Sequence, residues 1–218
     1  MLSGSLNQAD QAPVNLEFER IIWANGFRRI AGVDEAGCGP LAGPVVAATV
    51  IFQPDFFHPG IKDSKKLTAR KREELFFLIK ENAISWGIGI VSHSEIDRLN
   101  IRQATFKAMR KALGSLKSKP DYILFDGYEL PEKFYRQEAI IDGDELSFTI
   151  SAASIIAKVT RDRLMIEYHQ QYPQYGFDKH KGYGTVFHRE MLRKYGPCPL
   201  HRRTFLHKIL RQSAPGRS

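Results

Sequence analysis

The stretch from Ala31 to Phe52 limits the possible folds of this chain more than any other. A short apolar run ends in two adjacent acids, Asp34 and Glu35, and enters a loop with glycine at 37, 39 and 43. A β-branched and alanine-rich run, Val45 to Ile51, follows at once. Two apolar segments split by a glycine-rich turn read as strand, tight loop, strand, and so short a connection pairs them antiparallel. Acids at the mouth of such a loop are badly placed for a core but well placed to hold hard cations at a sheet edge. The glycines let backbone N–H groups approach a ligand, because no Cβ stands in the way. Neighbours on an ideal strand point to opposite faces, so Asp34 and Glu35 share a site only if the strand ends or bulges there.

The rest of the chain supplies a sheet for this hairpin. Apolar spacing predicts a short helix over 15–24 stopped by Gly26, strands over 29–33 and 44–52, a helix over 68–83 and a third strand over 84–91. Ser94 to Asp97 reads as a capping box opening a helix whose inner stripe is Ile96, Leu99, Phe106, Met109 and Leu113. Strands over 122–125 and 139–141 follow, then a helix over 150–168 whose first turns (Ser151, Ala152, Ala153, Ser154, Ala157) are small enough to lie close on a sheet. Short helices and loops complete the chain, with fraying expected over 212–218. A meander that gives way to alternating strands and helices predicts an α/β fold, a mixed five-stranded sheet flanked by helices.

With 218 residues, 43% of them hydrophobic, the chain has enough apolar surface for one full core. Three parts are expected: an N-terminal segment with a short helix (1–27), a core (28–178) and a basic helical C-terminal extension (179–218). The last holds ten lysines and arginines against a single acid, Glu190, while the remainder is close to neutral. Charge gathered at one end suits a polyanion held by one face. Two cysteines, Cys38 and Cys198, form no metal-ligand pattern and suit a reducing compartment. No apolar stretch reaches the roughly 18 residues of a membrane span, and the N-terminus has no basic and apolar secretory pattern, so a cytoplasmic protein is expected. His180 and His188 read as surface or loop histidines, and Cys198 as structural.

Three predicted strands end in acids next to glycine: Asp34-Glu35, Asp126, and Asp144 with Asp142 beside it. Ligands of open α/β sheets gather at such ends, so these groups can converge. Carboxylates so close repel unless cations sit among them. Without a Cys/His set, Mg2+ or Mn2+ suits the cluster better than zinc. A pair of such ions is the usual apparatus for displacement at a phosphodiester.

Several segments resemble one family in its own order: AGVDEAGCGPLAGPVVAA, DSKKL (63–67), LFDG (124–127), GD (143–144), ISAASIIAKVTRDRLM (150–165) and YPQYGFDKHKGYGT (172–185). Together they span roughly residues 29–205 and are similar to bacterial ribonuclease HII. The resemblance implies an RNase H-like core with a helical C-terminal extension. It also implies metal-dependent hydrolysis of the RNA strand of RNA–DNA hybrids, and incision 5′ of single ribonucleotides in duplex DNA, leaving 5′-phosphate and 3′-hydroxyl ends. The partners implied are the hybrid and the ribonucleotide-containing duplex, with no membrane, for a monomer using two Mn2+ or Mg2+ ions.

Carried over by position, the family's four catalytic, metal-holding acids fall on Asp34, Glu35, Asp126 and Asp144. The loop whose backbone reads the ribose 2′-OH falls on Gly37, Cys38 and Gly39. Lys65 and Lys66 resemble phosphate-contacting residues, and Tyr183 resembles the tyrosine that packs on the sugar. The chain departs from the pattern at Cys38, usually arginine, at Tyr128, commonly asparagine, and at Asp142, commonly lysine. Two rivals share the features: an inert hybrid-binding module, which would need a lost carboxylate, and a metal nuclease of DNA junctions, which would not need the 2′-OH loop or Tyr183.

Overall fold

The computed structural model of the chain describes residues 14–133 and 135–211. The fraying expected over 212–218 and all of the segment before Val14 lie outside them. Helix α1 (Glu17–Ala24) precedes strands β1 (Ile30–Ala36) and β2 (Val45–Ile51), which enclose the glycine loop. A 3-10 turn at Ser64–Lys66 leads into α2 (Ala69–Asn82), β3 (Ser85–Val91), α3 (His93–Leu99) and α4 (Ile101–Gly114). β4 (Tyr122–Asp126) and β5 (Arg136–Ile140) complete the sheet. Then come α5 (Gly143–Leu146), the long α6 (Phe148–Gln171), α7 (Phe177–His180), α8 (Val186–Tyr195) and α9 (Arg203–Arg211). The strand order is β3-β2-β1-β4-β5; β1 to β3 run antiparallel, and β4 and β5 lie parallel to β1. This is the mixed five-stranded sheet that the patterning predicts.

Every residue of β2 is buried, as its unbroken apolar run requires of a strand covered on both faces. On one face Ala48, Val50 and Phe52 pack against Ala152, Ala153 and Ile156 of α6; on the other Val33, Ala47 and Ile51 meet Phe106, Ala108 and Met109 of α4. The small residues of α6 do what their size suggests. The helix lies so close to β1 that a Cβ on Gly32 would fall 2.2 Å from the Thr149 carbonyl carbon. Buried Glu19 of α1 fixes the start of α6 by accepting hydrogen bonds from the Thr149 amide (2.9 Å), the Thr149 hydroxyl (2.8 Å) and Ser147 (2.7 Å). Among the described residues no helix is long and apolar enough to cross a membrane.

Three local expectations are corrected. The capping box is Ser92 with Glu95 rather than Ser94 with Asp97, and the single predicted helix is two, broken where Asn100 turns to φ 69° and caps α4 through the Gln103 amide. β5 starts at Arg136 rather than Ala139, because a half-exposed edge strand needs no apolar signal at its outer positions. Asp144 does not end a strand: it lies in the first turn of α5, after Asp142 has taken the left-handed conformation at φ 54°.

Candidate active site

The strand that carries Asp34 does not stop there. β1 stays paired with β2 through Ala36, so Asp34 (opposite Ala48) and Glu35 (opposite Ala47) obey the alternation of a regular strand. Asp34 joins the α6 face, where it meets Asp126 from the end of β4 and Asp144 from α5. One carboxylate oxygen from each of the three lies within 4.8 Å of the others. Glu35 turns to the α4 face, where it accepts the Cys38 thiol at 3.4 Å. Of the four predicted acids the structure thus gathers three and keeps the fourth beside them. Asp142 is exposed and outside the cluster.

The electrostatics of this group are out of balance. Burial pushes the Asp34 carboxyl well above the carboxylate range, and Glu35 and Asp126 add repulsion. Asp126 is raised by burial and by Asp144, against the Gly143 amide that donates to it at 2.8 Å. Burial lifts Glu35 to about 7, and its Oε2 is buried without a hydrogen-bond partner. Lys65, on the turn capped by Asp63, places its ammonium 2.9 Å from Asp144, which raises the lysine's own pKa. A side-chain cation therefore already sits against the cluster, and an all-oxygen set with an orphaned carboxylate oxygen matches the preference of a hard divalent ion.

The substrate-side residues converge on the next turn of chain. Gly37 is buried at φ 102°, and a Cβ there would lie 2.1 Å from Arg161 Nε. Gly39 is different. It has no positive φ, it is exposed, and its nearest neighbour for an added Cβ is the Tyr183 ring at 3.8 Å. The loop and Tyr183, far apart in sequence, are held together by the Leu41 amide donating to Gly182 O at 2.8 Å. Tyr183 is 46% exposed, which leaves part of the side chain accessible to a ligand. The Cys38 side chain points inward, to Glu35 and to Thr105 (3.4 Å), and burial raises its thiol to about 12. Tyr128, the second departure from the family pattern, packs on Phe106 in the same pocket. The two unusual residues are neighbours.

Sequence reasoning missed what lies under the loop. Arg202, counted among the surface charges, is fully buried, as is Arg161 of α6, and both reach the backbone of the 37–44 loop. His188 is buried rather than superficial; its Nε2 lies 3.0 Å from Nε2 of buried His201, and its Nδ1 lies 2.9 Å from Tyr183 O. The only signal was the position of Arg202 between Leu200 and Phe205, in a segment whose many charges hid it.

Comparison with known proteins agrees with this geometry. The family model described as Ribonuclease HII matches residues 31–209. The ribonuclease HII of Caldanaerobacter subterraneus subsp. tengcongensis is 56% identical over 194 residues, 89% of this chain and 80% of that protein. The ribonuclease HII of Acholeplasma laidlawii is 53% identical over 200 residues, 91% of this chain and 98% of that protein. Among solved structures, ribonuclease H2 of Pyrococcus horikoshii superposes with a TM-score of 0.72 at 30% identity, covering 86% of this chain and 100% of that one.

Proposed function

This chain belongs to the ribonuclease HII family, and from that premise we propose that it cuts duplex DNA on the 5′ side of a single embedded ribonucleotide, leaving 5′-phosphate and 3′-hydroxyl ends. Membership itself makes it a ribonuclease H acting on RNA–DNA hybrids. The observation that carries the finer reading is the adjacency of two features on one strand end. Three residues beyond Asp34 of the carboxylate cluster, the chain enters a glycine loop that lies against an exposed tyrosine ring. Only the 2′-OH marks a lone ribose in DNA, and a backbone surface beside a flat ring is suited to read it.

In this reading Asp34, Glu35, Asp126 and Asp144 hold two divalent ions, Mg2+ or Mn2+. Such ions supply Lewis acidity, sharpening water as a nucleophile and taking up charge on the leaving 3′-oxygen. The chain's own residues do the positioning. The Gly143 amide fixes the Asp126 carboxylate. Glu35 offers its unpartnered Oε2, while its Oε1 takes the weak contact from the Cys38 thiol. Lys65, largely solvent-exposed along its stem, exchanges Asp144 for a backbone phosphate. The backbone at Gly37, Cys38 and Gly39 meets the 2′-OH, while Tyr183 packs on the sugar.

The test is a labelled duplex with one ribonucleotide, incubated with Mg2+ or Mn2+, its products mapped to the nucleotide beside an all-DNA control. A single cut 5′ of the ribonucleotide, abolished by excess EDTA, is expected. Comparable cutting of the all-DNA duplex, or full turnover in EDTA, overturns the proposal.

A further inference from the structure

Arg202 spends four hydrogen bonds on one loop. Its Nε donates to Gly43 O at 3.0 Å, Nη1 to Cys38 O at 3.0 Å, and Nη2 to Gly37 O at 2.6 Å and Pro44 O at 3.2 Å. Arg161 adds Nε to Pro44 O at 3.0 Å and Nη2 to Ala42 O at 3.2 Å. Neither guanidinium forms an ion pair among the described residues; the two buried cations are met by backbone carbonyls and by aromatic rings, Phe205 at 5.2 Å from Arg202 and Tyr183 at 5.9 Å from Arg161. The backbone around Arg202 is fastened as well: its amide donates to Leu41 O (2.8 Å), and Gly43 donates to Leu200 O (2.9 Å).

The geometry of the peptide unit turns this into a statement about the other side of the loop. In a planar trans peptide, the C=O of one residue and the N–H of the next point in opposite directions. Drawing the carbonyls of Gly37 and Cys38 inward onto Arg202 therefore turns the amides of Cys38 and Gly39 outward. Neither amide donates to a protein acceptor among the described residues. Gly39 is exposed next to the Tyr183 ring. Buried positive charge behind outward-facing N–H groups also favours an oxygen acceptor or a phosphate in front of them.

We infer that Arg202, backed by Arg161, is a positioning residue: it aims the Cys38 and Gly39 amides at the ribose of the substrate, and the first task of the basic C-terminal segment is to assemble this loop. The inference rests on the ribonucleotide-reading function proposed above. It uses the rigid fork of arginine, with several donors fixed in one plane, which lysine cannot reproduce. A chain truncated before Tyr195 lacks Arg202, and so should lose incision as well as the positive charge of its basic segment.

The experiment compares wild type, Arg202→Ala, Arg202→Lys and Arg161→Lys on the single-ribonucleotide duplex, with kcat and KM separated, Mn2+ affinity measured in parallel, and millimolar guanidinium chloride as a rescue agent. Loss of two aimed donors should cost Arg202→Ala about a hundredfold in kcat/KM, while Mn2+ binding changes by less than about twofold. Guanidinium should restore part of the Arg202→Ala rate by refilling the vacated site, and should leave wild type unchanged. Arg202→Lys, which keeps the charge, should still lose about tenfold because it lacks the fork; Arg161→Lys should lose less. If Arg202→Ala does not fold, Arg202→Lys decides the matter. Wild-type kinetics in Arg202→Lys, or a folded Arg202→Ala that cuts normally or ignores guanidinium, overturns the inference. A wild-type protein that does not cut at the ribonucleotide overturns the functional reading instead.

Discussion

Two clusters of like charge lie in the interior of this chain, and they are treated in opposite ways. Arg161 and Arg202 lie close enough that each opposes the other's charge, yet their donors are filled by carbonyls of the 37–44 loop. Arg202 keeps a pKa of about 9 despite its burial and its neighbour, so it remains charged at neutral pH. Asp34, Asp126 and Asp144 face each other with far fewer donors, and Glu35 beside them holds a buried oxygen with no hydrogen-bond partner. A buried charge whose bonds are complete is part of the architecture. A group of buried charges left repelling one another, with one lysine standing at the rim, is a place where the protein is incomplete without an outside cation.

The strongest way to break this contrast is to remove one charge from each cluster. Asp34→Asn and Asp126→Asn should nearly abolish incision, since a loss of about 4 kcal/mol of transition-state stabilisation is already a thousandfold. In EDTA at mildly alkaline pH, Asp34→Asn should nevertheless melt higher than wild type, because a repelling, desolvated charge has gone. Arg202→Met should melt lower, because buried carbonyls left without donors cost about 1–3 kcal/mol each. Thermal melts of the metal-free proteins check the signs. If both substitutions lower the melting temperature, the acidic cluster is not frustrated, and the distinction drawn here fails.

A smaller effect separates the two ends of the glycine loop. Gly37→Ala forces a side chain into a left-handed backbone and onto Arg161 Nε and Pro44 O, at 2.1 and 2.7 Å. It should cost about 1–3 kcal/mol of stability and lower incision with it. Gly39→Ala meets only the Tyr183 ring at ordinary contact distance. Its stability should stay within about 0.5 kcal/mol of wild type, while incision falls because the methyl occupies the space in front of the ring. The sequence gives all the loop glycines the same reason, freedom from a Cβ; in the structure Gly37 needs that freedom for the fold, and Gly39 leaves room for a ligand. Normal cutting by Gly39→Ala would place the ribose elsewhere.

What could be read in advance follows the range of the interaction. The hairpin, the central strand and the small-residue face of α6 were legible because periodicity and side-chain size act between neighbours. Asp34 and Asp126 were legible as acids next to a glycine loop or turn, although β1 runs on two residues past Asp34. The opposite facing of Glu35 followed from the two-residue period once β1 was seen to continue. Asp144 was found by its neighbours and misplaced by one element, because a one-turn helix leaves no periodic trace. Arg202 and His201 were illegible. Their roles depend on contacts with residues 37–44 across most of the chain and, for His201, with His188, and nothing local distinguishes a buried arginine from an exposed one in a basic segment. Cys38 and Tyr128 were visible as departures, but only the fold reveals that they share one pocket with Glu35.

The smallest effect is a pH profile in which the acidic cluster and the buried histidines that pack beside the arginine-held loop pull in opposite directions. His188 and His201 are held neutral by burial, at about 4, in a chain where His188 lies against Tyr183 O and His201, and His201 accepts the Cys198 amide at 3.0 Å. An unfolded histidine takes up its proton near 6.5, so the unfolded state binds more protons as pH falls from about 6.5 towards 4, and stability is lost on that side. Glu35 behaves inversely. Its carboxyl, raised to about 7 from an ordinary 4.5, keeps a proton that the unfolded chain has released, so stability falls as pH rises between those values, and Asp34 adds to this. The metal-free protein should therefore melt highest in the weakly acidic region where the two limbs cross, with differences of a few degrees on either side. Adding Mg2+ or Mn2+ should flatten the alkaline limb, because a cation bound to the native carboxylates stabilises their charged form, and should leave the acidic limb in place. Replacing His201 with asparagine should do the reverse, weakening the acidic limb only. Melting curves from pH 5 to 8, with and without the cation, measure both; a cation that moves the acidic limb, or leaves the alkaline one untouched, would join the two clusters into one electrostatic unit and undo the separation on which the contrast rests.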